Sequence, residues 1–311
     1  MDEQKEQIFE NNPYWEGEKQ GADLPSEQMK EEEKADNPVS KNVVKKTVPV
    51  DDKTTDNNPN PLDEPFPEVN VYKEEDAISF VIGGQTFKMV KVEGGTFTMG
   101  FSEDSSKKIK VVFEDEKPAH QVTLNSFYIC DTTVTQELWK AVYPTADISL
   151  KKGRENLPKV KISWDDCRRF INRLNAMTGY QFRMPTEAEW EFAAKGGIHS
   201  KNFTYAGTDS LSFVGWYHTN DKPIQPVKKL KTNELGIYDM SGNIYEWCAD
   251  WYAKDYYANS PENNPKGPDE GQYKVIRGGS VFSVAESCRI SMRMNLDPKL
   301  REAGVGLRLA L

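Results

Sequence analysis

Arg183-Met184-Pro185-Thr186-Glu187-Ala188-Glu189-Trp190-Glu191 is the stretch on which the fold turns. Thr186 and Glu189 have the spacing of a capping box, in which the threonine hydroxyl and the glutamate carboxylate each satisfy an otherwise orphaned N–H of the first turn. Pro185 sits just outside the helix, where its missing N–H costs nothing. Trp190, Ala193 and Ala194 line the inner face of the predicted helix, and Gly196-Gly197 stop it. Glu187, Glu189 and Glu191 crowd its start, as partners of the cap and the helix dipole rather than as acid/base groups.

Upstream, Ser163-Trp164-Asp165-Asp166 is a second capping box, opening a helix with Cys167, Phe170, Ile171 and Leu174 on one face and Gly179 at its end. Thr135 caps a shorter helix through Leu138, Trp139 and Val142. Strands are predicted at Ile78–Ile82 and Thr86–Val92 around Gly83-Gly84, at Gly95–Gly100, and as one alternating run over Gln121–Ile129. Beyond Gly197 the chain is rich in loops, with short strands near 273–276, 289–293 and 305–310. This is an α+β pattern with long connections, which in a compact domain are functional or pinned by buried groups.

Charge divides the 311 residues unequally. Residues 1–70 hold 18 Asp/Glu against 8 Lys and carry 8 of the 18 prolines, whereas the remainder is close to neutral and holds six of the seven tryptophans. The acidic segment lacks the apolar surface to offset the entropy of ordering. Residues 1–71 are therefore expected to be a disordered tail or spacer, and 72–311 one domain. Phe9, Tyr14 and Trp15 leave room for a short docking peptide within the tail.

Several function classes fall away. The net charge of −9 without a basic stripe argues against nucleic acid. No apolar run approaches the roughly 20 residues of a membrane helix, and no leader is evident, so the default expectation is a cytoplasmic monomer. Cys130, Cys167, Cys248 and Cys288 form no CxxC pair and suit neither a zinc ribbon nor a disulfide scaffold. His120, His199 and His218 belong to no HxxxHxE or HExxH motif, and no GxSxG elbow is present.

Ordered strings carry a resemblance. Gly94-Gly95-Thr96-Phe97-Thr98-Met99-Gly100, Glu116-Lys117-Pro118-Ala119-His120-Gln121-Val122, Thr133-Val134-Thr135 and the helix-start string are followed by Gly236-Ile237-Tyr238-Asp239-Met240-Ser241-Gly242-Asn243-Ile244-Tyr245-Glu246-Trp247. Asn264-Pro265-Lys266-Gly267-Pro268, Arg277-Gly278-Gly279-Ser280 and Gly304-Val305-Gly306-Leu307-Arg308 complete the series. Over roughly 85–311 the chain resembles the formylglycine-generating enzyme (sulfatase-modifying factor) superfamily. The resemblance implies a variant of the C-type lectin fold, with small antiparallel sheets, flanking helices and much irregular chain. Relatives include a copper-dependent oxidase of sulfatase cysteines, domains of sulfoxide synthases, pyoverdine-maturation proteins, gliding-motility lipoproteins and retroelement-diversified binding proteins.

In the oxidase two cysteines lie three and eight residues past the serine of the Gly-Gly-Ser string and bind Cu(I), a soft ion that favours thiolate. The matching positions here are Ser283 and Cys288, which makes copper unlikely. Buried packing is the plainer role for Cys288; a contact with Cys248 stays open. The resemblance also implies calcium at Asp239, Gly242, Ile244 and Glu246, a mixture of carboxylate and main-chain oxygens suited to a hard cation. It further implies a ligand groove along the C-terminal segment, with Tyr245, Ser280, Ser283, Cys288 and Arg289; Arg289, Arg293 and Arg301 either lend it positive charge or pair with the tail or with surface carboxylates. Two readings remain: a divergent, non-oxidase domain that binds a protein or small ligand, or an oxidase using Cys288.

Overall fold

The computed structural model describes residues 66–103, 109, 111–146, 148, 150, 152, 155–218 and 223–311. Most of the expected spacer lies outside the described residues. Strand β1 (Val69–Lys73) opens the fold three residues before the boundary expected at 72, because it pairs antiparallel with β2 (Ala77–Ile82). Gly83-Gly84 turn the chain into β3 (Gln85–Val92), and β4 (Gly95–Met99) follows.

The expected single strand over 121–129 is two strands in different sheets. β5 (His120–Leu124) pairs with β4, and β6 (Phe127–Cys130) pairs with β3. The break has a local cause. Asn125 donates its main-chain N–H to Asn264 Oδ1 at 2.9 Å, and Ser126 Oγ accepts from Gly94 N at 3.0 Å, so side chains take the place of ladder bonds.

The three helices fall where their caps place them: α1 (Gln136–Val142), α2 (Trp164–Thr178) and α3 (Glu187–Ala194). Thr135 Oγ1, Ser163 Oγ and Thr186 Oγ1 each accept the N–H three residues on, at 3.1, 3.1 and 3.2 Å. Gly179 closes α2 at φ 72°, a conformation that a side chain disfavours. Helix α3 differs from the expected one-sided helix. Glu187, Ala188 and Trp190 to Ala194 are all buried, so its polar groups must find partners inside.

A strand the sequence did not announce, β7 (Tyr245–Trp251), runs out of the expected calcium loop. With β8 (Lys274–Arg277), β9 (Met294–Leu296) and β10 (Val305–Gly306) it forms the second sheet, in the order β10-β7-β8-β9. The first sheet is ordered β1-β2-β3-β6, and β4-β5 form a separate ribbon. The last residues stitch the parts together. Cys130 N bonds Leu309 O at 2.8 Å, and Ala310 exchanges two bonds with Arg183.

One apolar cluster fills the space between the first sheet, α1 and α2, with Trp139 stacked on Phe170 at 4.5 Å and Phe80 on Phe87 at 5.1 Å. A second joins α3 to the ribbon and the second sheet through Val122, Trp190, Phe192 and Val275. Among the described residues no helix is long and apolar enough to cross a membrane. Small sheets, antiparallel except where β10 runs parallel to β7, with few helices and long connections make this the α+β, C-type-lectin-like architecture that the resemblance implies.

Candidate functional site

The turn after β8 is built around glycine. Gly279 has φ 77°, and a Cβ there would lie 2.6 Å from Cys288 Sγ and 3.0 Å from Ser287 O. Only a bare α-carbon lets the Ser280 turn pack onto the 3₁₀ turn Ala285–Cys288. That contact brings Ser280, Ser283, Ser287 and Tyr245 into one buried polar cluster. Ser283 Oγ accepts Ser280 N–H at 3.0 Å, lies 3.2 Å from Ser280 Oγ, and donates to Tyr245 Oη at 3.2 Å. Ser287 bonds the same phenol, whose ionisation burial pushes to higher pH.

Ser283 is 6% exposed, Tyr245 3% and Cys288 0%. Tyr245, Ser280, Ser283 and Cys288 do converge, but beneath the surface. Aromatic side chains form the rim above them. Tyr205 and Tyr217 pack against the cluster of Leu211, Val214 and Cys288, and His218 donates its main-chain N–H to Ser283 O at 3.1 Å. Phe213 is 53% exposed. Burial pushes Tyr205 up to about 12, with the Glu286 carboxylate adding to the effect. Sequence reading missed this rim because its residues lie in an irregular loop without periodicity.

Cys288 is a buried thiol. Burial first, and then the Glu286 carboxylate, push its ionisation well above the ordinary thiol range. Its sulfur leans 3.7 Å from Val284 O. A reactive cysteine needs the opposite surroundings, a neighbouring cation and access. Cys248 lies in the α3 cluster and Cys288 in another, and all four cysteines are unbonded and buried. The copper centre of the resembled oxidase does not fit these residues. One position is a hydroxyl already committed to Tyr245 and Ser280, and the other is a thiol held protonated.

Arg289 belongs to a different structure from the expected groove. It is 2% exposed and makes a bidentate pair with Glu116, both contacts at 2.6 Å. Arg293 clasps Glu187 at 2.7 and 2.8 Å, and Arg277 bridges Glu187 and Glu191 at 2.9 and 2.6 Å. Arg308 holds Glu246 through Nε at 2.8 Å and a terminal nitrogen at 2.7 Å. Arg301, at the surface, pairs with Asp166. Four buried arginines therefore meet four buried glutamates. Desolvating either partner alone would cost several kcal/mol, so each requires the other. Glu189 alone plays the capping part foreseen for all three helix glutamates, with Arg183 on its carboxylate. A signal was available in Arg277 and Arg308, charges set within otherwise apolar strings.

The same network bears on calcium. Glu246, expected as a ligand, has both oxygens engaged: Arg308 on each, and Trp190 Nε1 on Oε2 at 2.7 Å. Gly242 O accepts Ile244 N–H at 2.9 Å. Asp239 is a different case. Its Oδ2 accepts the main-chain N–H of Lys228 at 3.0 Å, and burial pushes its carboxyl up to about 6. Of the expected ligands, Glu246 thus serves Arg308 and Trp190, Gly242 O accepts from Ile244, and Asp239 accepts from Lys228.

Comparison with known proteins agrees with this architecture. The formylglycine-generating enzyme of Streptomyces coelicolor is 28% identical over 71% of this chain and 88% of its own length. The serine/threonine-protein kinase pkn1 of Chlamydia caviae is 28% identical over 78% of this chain, which spans only 41% of that kinase. Among solved structures, Treponema denticola variable protein 1 superposes with a TM-score of 0.64 at 28% identity, over 75% of this chain and 97% of that one. Residues 82–311 match the family described as the sulfatase-modifying factor enzyme 1-like domain (FGE-sulfatase), and the chain belongs to that family.

Proposed function

We propose that this is a recognition domain of the family, one that binds a protein or small ligand over the Ser280–Cys288 turn and does not oxidise cysteine. The observation that carries the reading is Ser283, a hydroxyl locked by Ser280 N–H and Tyr245 where the oxidase has its first thiol. A hard oxygen is a poor ligand for Cu(I), and a hydroxyl forms no exchangeable disulfide. The ligand would meet the rim of Tyr205, Tyr217 and His218 rather than the buried cluster. Aromatic side chains bring large contact area at little entropic cost, and they dominate such surfaces.

Calcium, on this reading, is structural. Asp239 with the Gly242 and Ile244 carbonyls would hold it, and it would add positive charge beside a carboxyl that burial disfavours as an anion.

Competition for Cu(I) against a chromogenic chelator tests the central point. The wild type is expected to leave the chelator loaded, while Ser283→Cys draws copper from it. Tight one-to-one binding by the wild type would favour the oxidase reading instead, with Cys288 as a metal ligand.

A further inference from the structure

Of the Phe, Tyr and Trp side chains among the described residues, only Phe66 and Phe213 are exposed, at 43% and 53%. The Phe66 ring lies against Arg173, which is buried. Phe213 ends the 3₁₀ turn Leu211–Phe213 and has an exposed cation over it instead. Lys231 donates its main-chain N–H to Phe213 O at 3.0 Å and holds Nζ 4.9 Å from the ring centre. Lys229, two residues earlier, is also exposed. Lys228 is paired with Asp131, but among the described residues no carboxylate pairs with Lys229 or Lys231. A second exposed apolar group lies on the same face. Leu211 and Val214 cluster with Ala285 and Cys288, and the adjoining Val284 is 38% exposed.

An exposed phenylalanine flanked by two uncompensated ammonium groups complements an aromatic segment that carries carboxylates. Rings bury the apolar surface, and the opposite charges fix the partner's identity and register. The chain contains one such segment. Within residues 1–65 the aromatics are Phe9, Tyr14 and Trp15 alone, and Phe9–Glu18 adds Glu10, Glu16 and Glu18 with no Lys or Arg. Roughly 50 residues separate this segment from β1, and at up to about 3.5 Å each they reach any face of the domain. Such a tether gives a local concentration on the order of a millimolar. A contact too weak to join separate molecules therefore forms within one.

We propose that Phe9–Glu18 docks on the Phe213 face of its own domain, with aromatic rings against Phe213 and Val284 and glutamates on Lys229 and Lys231. The face borders the rim, because Tyr205 and Tyr217 pack on the same Leu211 cluster. The docked segment thus competes with whatever the rim binds. That competition rests on the function proposed above; the docking does not.

Zero-length carbodiimide cross-linking of the full chain tests the proposal. Unlabelled and isotope-labelled protein are mixed, and mass spectrometry reads which carboxylates join which lysines and whether both come from one copy. Links from Glu10, Glu16 or Glu18 should fall on Lys229 and Lys231 at least fivefold more often than on the exposed Lys201 or Lys266, and within one copy. Phe213→Ser keeps both lysines and should cut those links at least fivefold, with an unchanged melting temperature because the ring is exposed. The triple variant Phe9→Ser/Tyr14→Ser/Trp15→Ser leaves the domain untouched and should do the same. Links spread evenly over the surface lysines, links only between copies, or links that survive both sets of substitutions would overturn the docking. Persisting links in a chain whose rim binds nothing would overturn the function proposed above and leave the docking standing.

Discussion

Substituting Glu246 by glutamine should unfold much of the margin by which this domain is stable. The carboxylate receives three short hydrogen bonds: Arg308 Nε at 2.8 Å, an Arg308 terminal nitrogen at 2.7 Å and Trp190 Nε1 at 2.7 Å. Glutamine keeps the volume but carries no charge, so the guanidinium is left without a counter-ion at 0% exposure. The carbonyls of Cys130 and Tyr238 continue to accept from Arg308, but they cannot neutralise it. Breaking one side of a buried ion pair costs about 3–5 kcal/mol. For a domain of this size each kcal/mol lowers the melting temperature by about 2–4 °C, which gives a fall of about 6–20 °C. Urea denaturation monitored by tryptophan fluorescence, with a thermal melt alongside, measures it. The double variant Glu246→Leu/Arg308→Met is the companion, since replacing both partners by apolar groups of similar volume is far less harmful than removing one. It should recover most of the loss, short of the hydrogen bond to Trp190. A Glu246→Gln variant within about 1 kcal/mol of the wild type, or a double variant worse than the single one, would refute the ion-pair role.

Three further outcomes are expected. Burial, and then the neighbouring Glu187 carboxylate, push Asp250 from 3.8 up to about 8, so its native form holds a proton that the unfolded chain has released. That contribution is complete below about pH 4 and is lost as pH rises toward 8, at up to about 1.4 kcal/mol per pH unit; stability measured across that range should fall less steeply in Asp250→Asn, and an identical slope would contradict it. Calcium should raise the melting temperature relative to excess EGTA, by about 2.7 kcal/mol of stability at a hundredfold excess over Kd, and Asp239→Ala should abolish the response; an unchanged melt with and without chelator would remove the cation from this loop. All four cysteines are buried, so the native protein should react with a disulfide reagent no faster than it opens, and full labelling should follow denaturation. Rapid stoichiometric labelling of Cys288 in the native state would contradict its placement.

The elements legible in the sequence were those with local causes. The capping boxes at Ser163 and Thr186 and the Gly179 stop act within a few residues, and the structure places α2 and α3 as they indicate. The alternation over 121–129 misled, because β5 and β6 share a periodicity while belonging to different sheets, and the bonds that part them come from Asn264 and Gly94. β7 was hidden for a similar reason. Its pairing is to residues 274–277 on one side and 305–306 on the other, and no local pattern reports such distant partners.

At the site, the turn after Ser280 was legible in its parts and not in its depth. The sequence placed Ser283 and Cys288 together, while the packing of Cys288 with Leu211, Val214, Tyr205 and Tyr217 arises from loops with no regular pattern. Arg289 shows the same limit. It reads as surface charge in the sequence, yet its partner Glu116 is 173 positions away.

The central claim, that a hydroxyl has replaced thiol chemistry in this domain, is tested most directly by turnover. A synthetic Cys-x-Pro-x-Arg peptide is incubated with the copper-loaded protein, oxygen and a thiol reductant, and mass spectrometry follows the change from cysteine to aldehyde. No conversion is expected from the wild type at any enzyme concentration, because Ser283 is bonded to Tyr245 and Cys288 is held protonated. Conversion that rises in proportion to wild-type protein and disappears in Cys288→Ala would contradict the claim and make Cys288 a catalytic thiol.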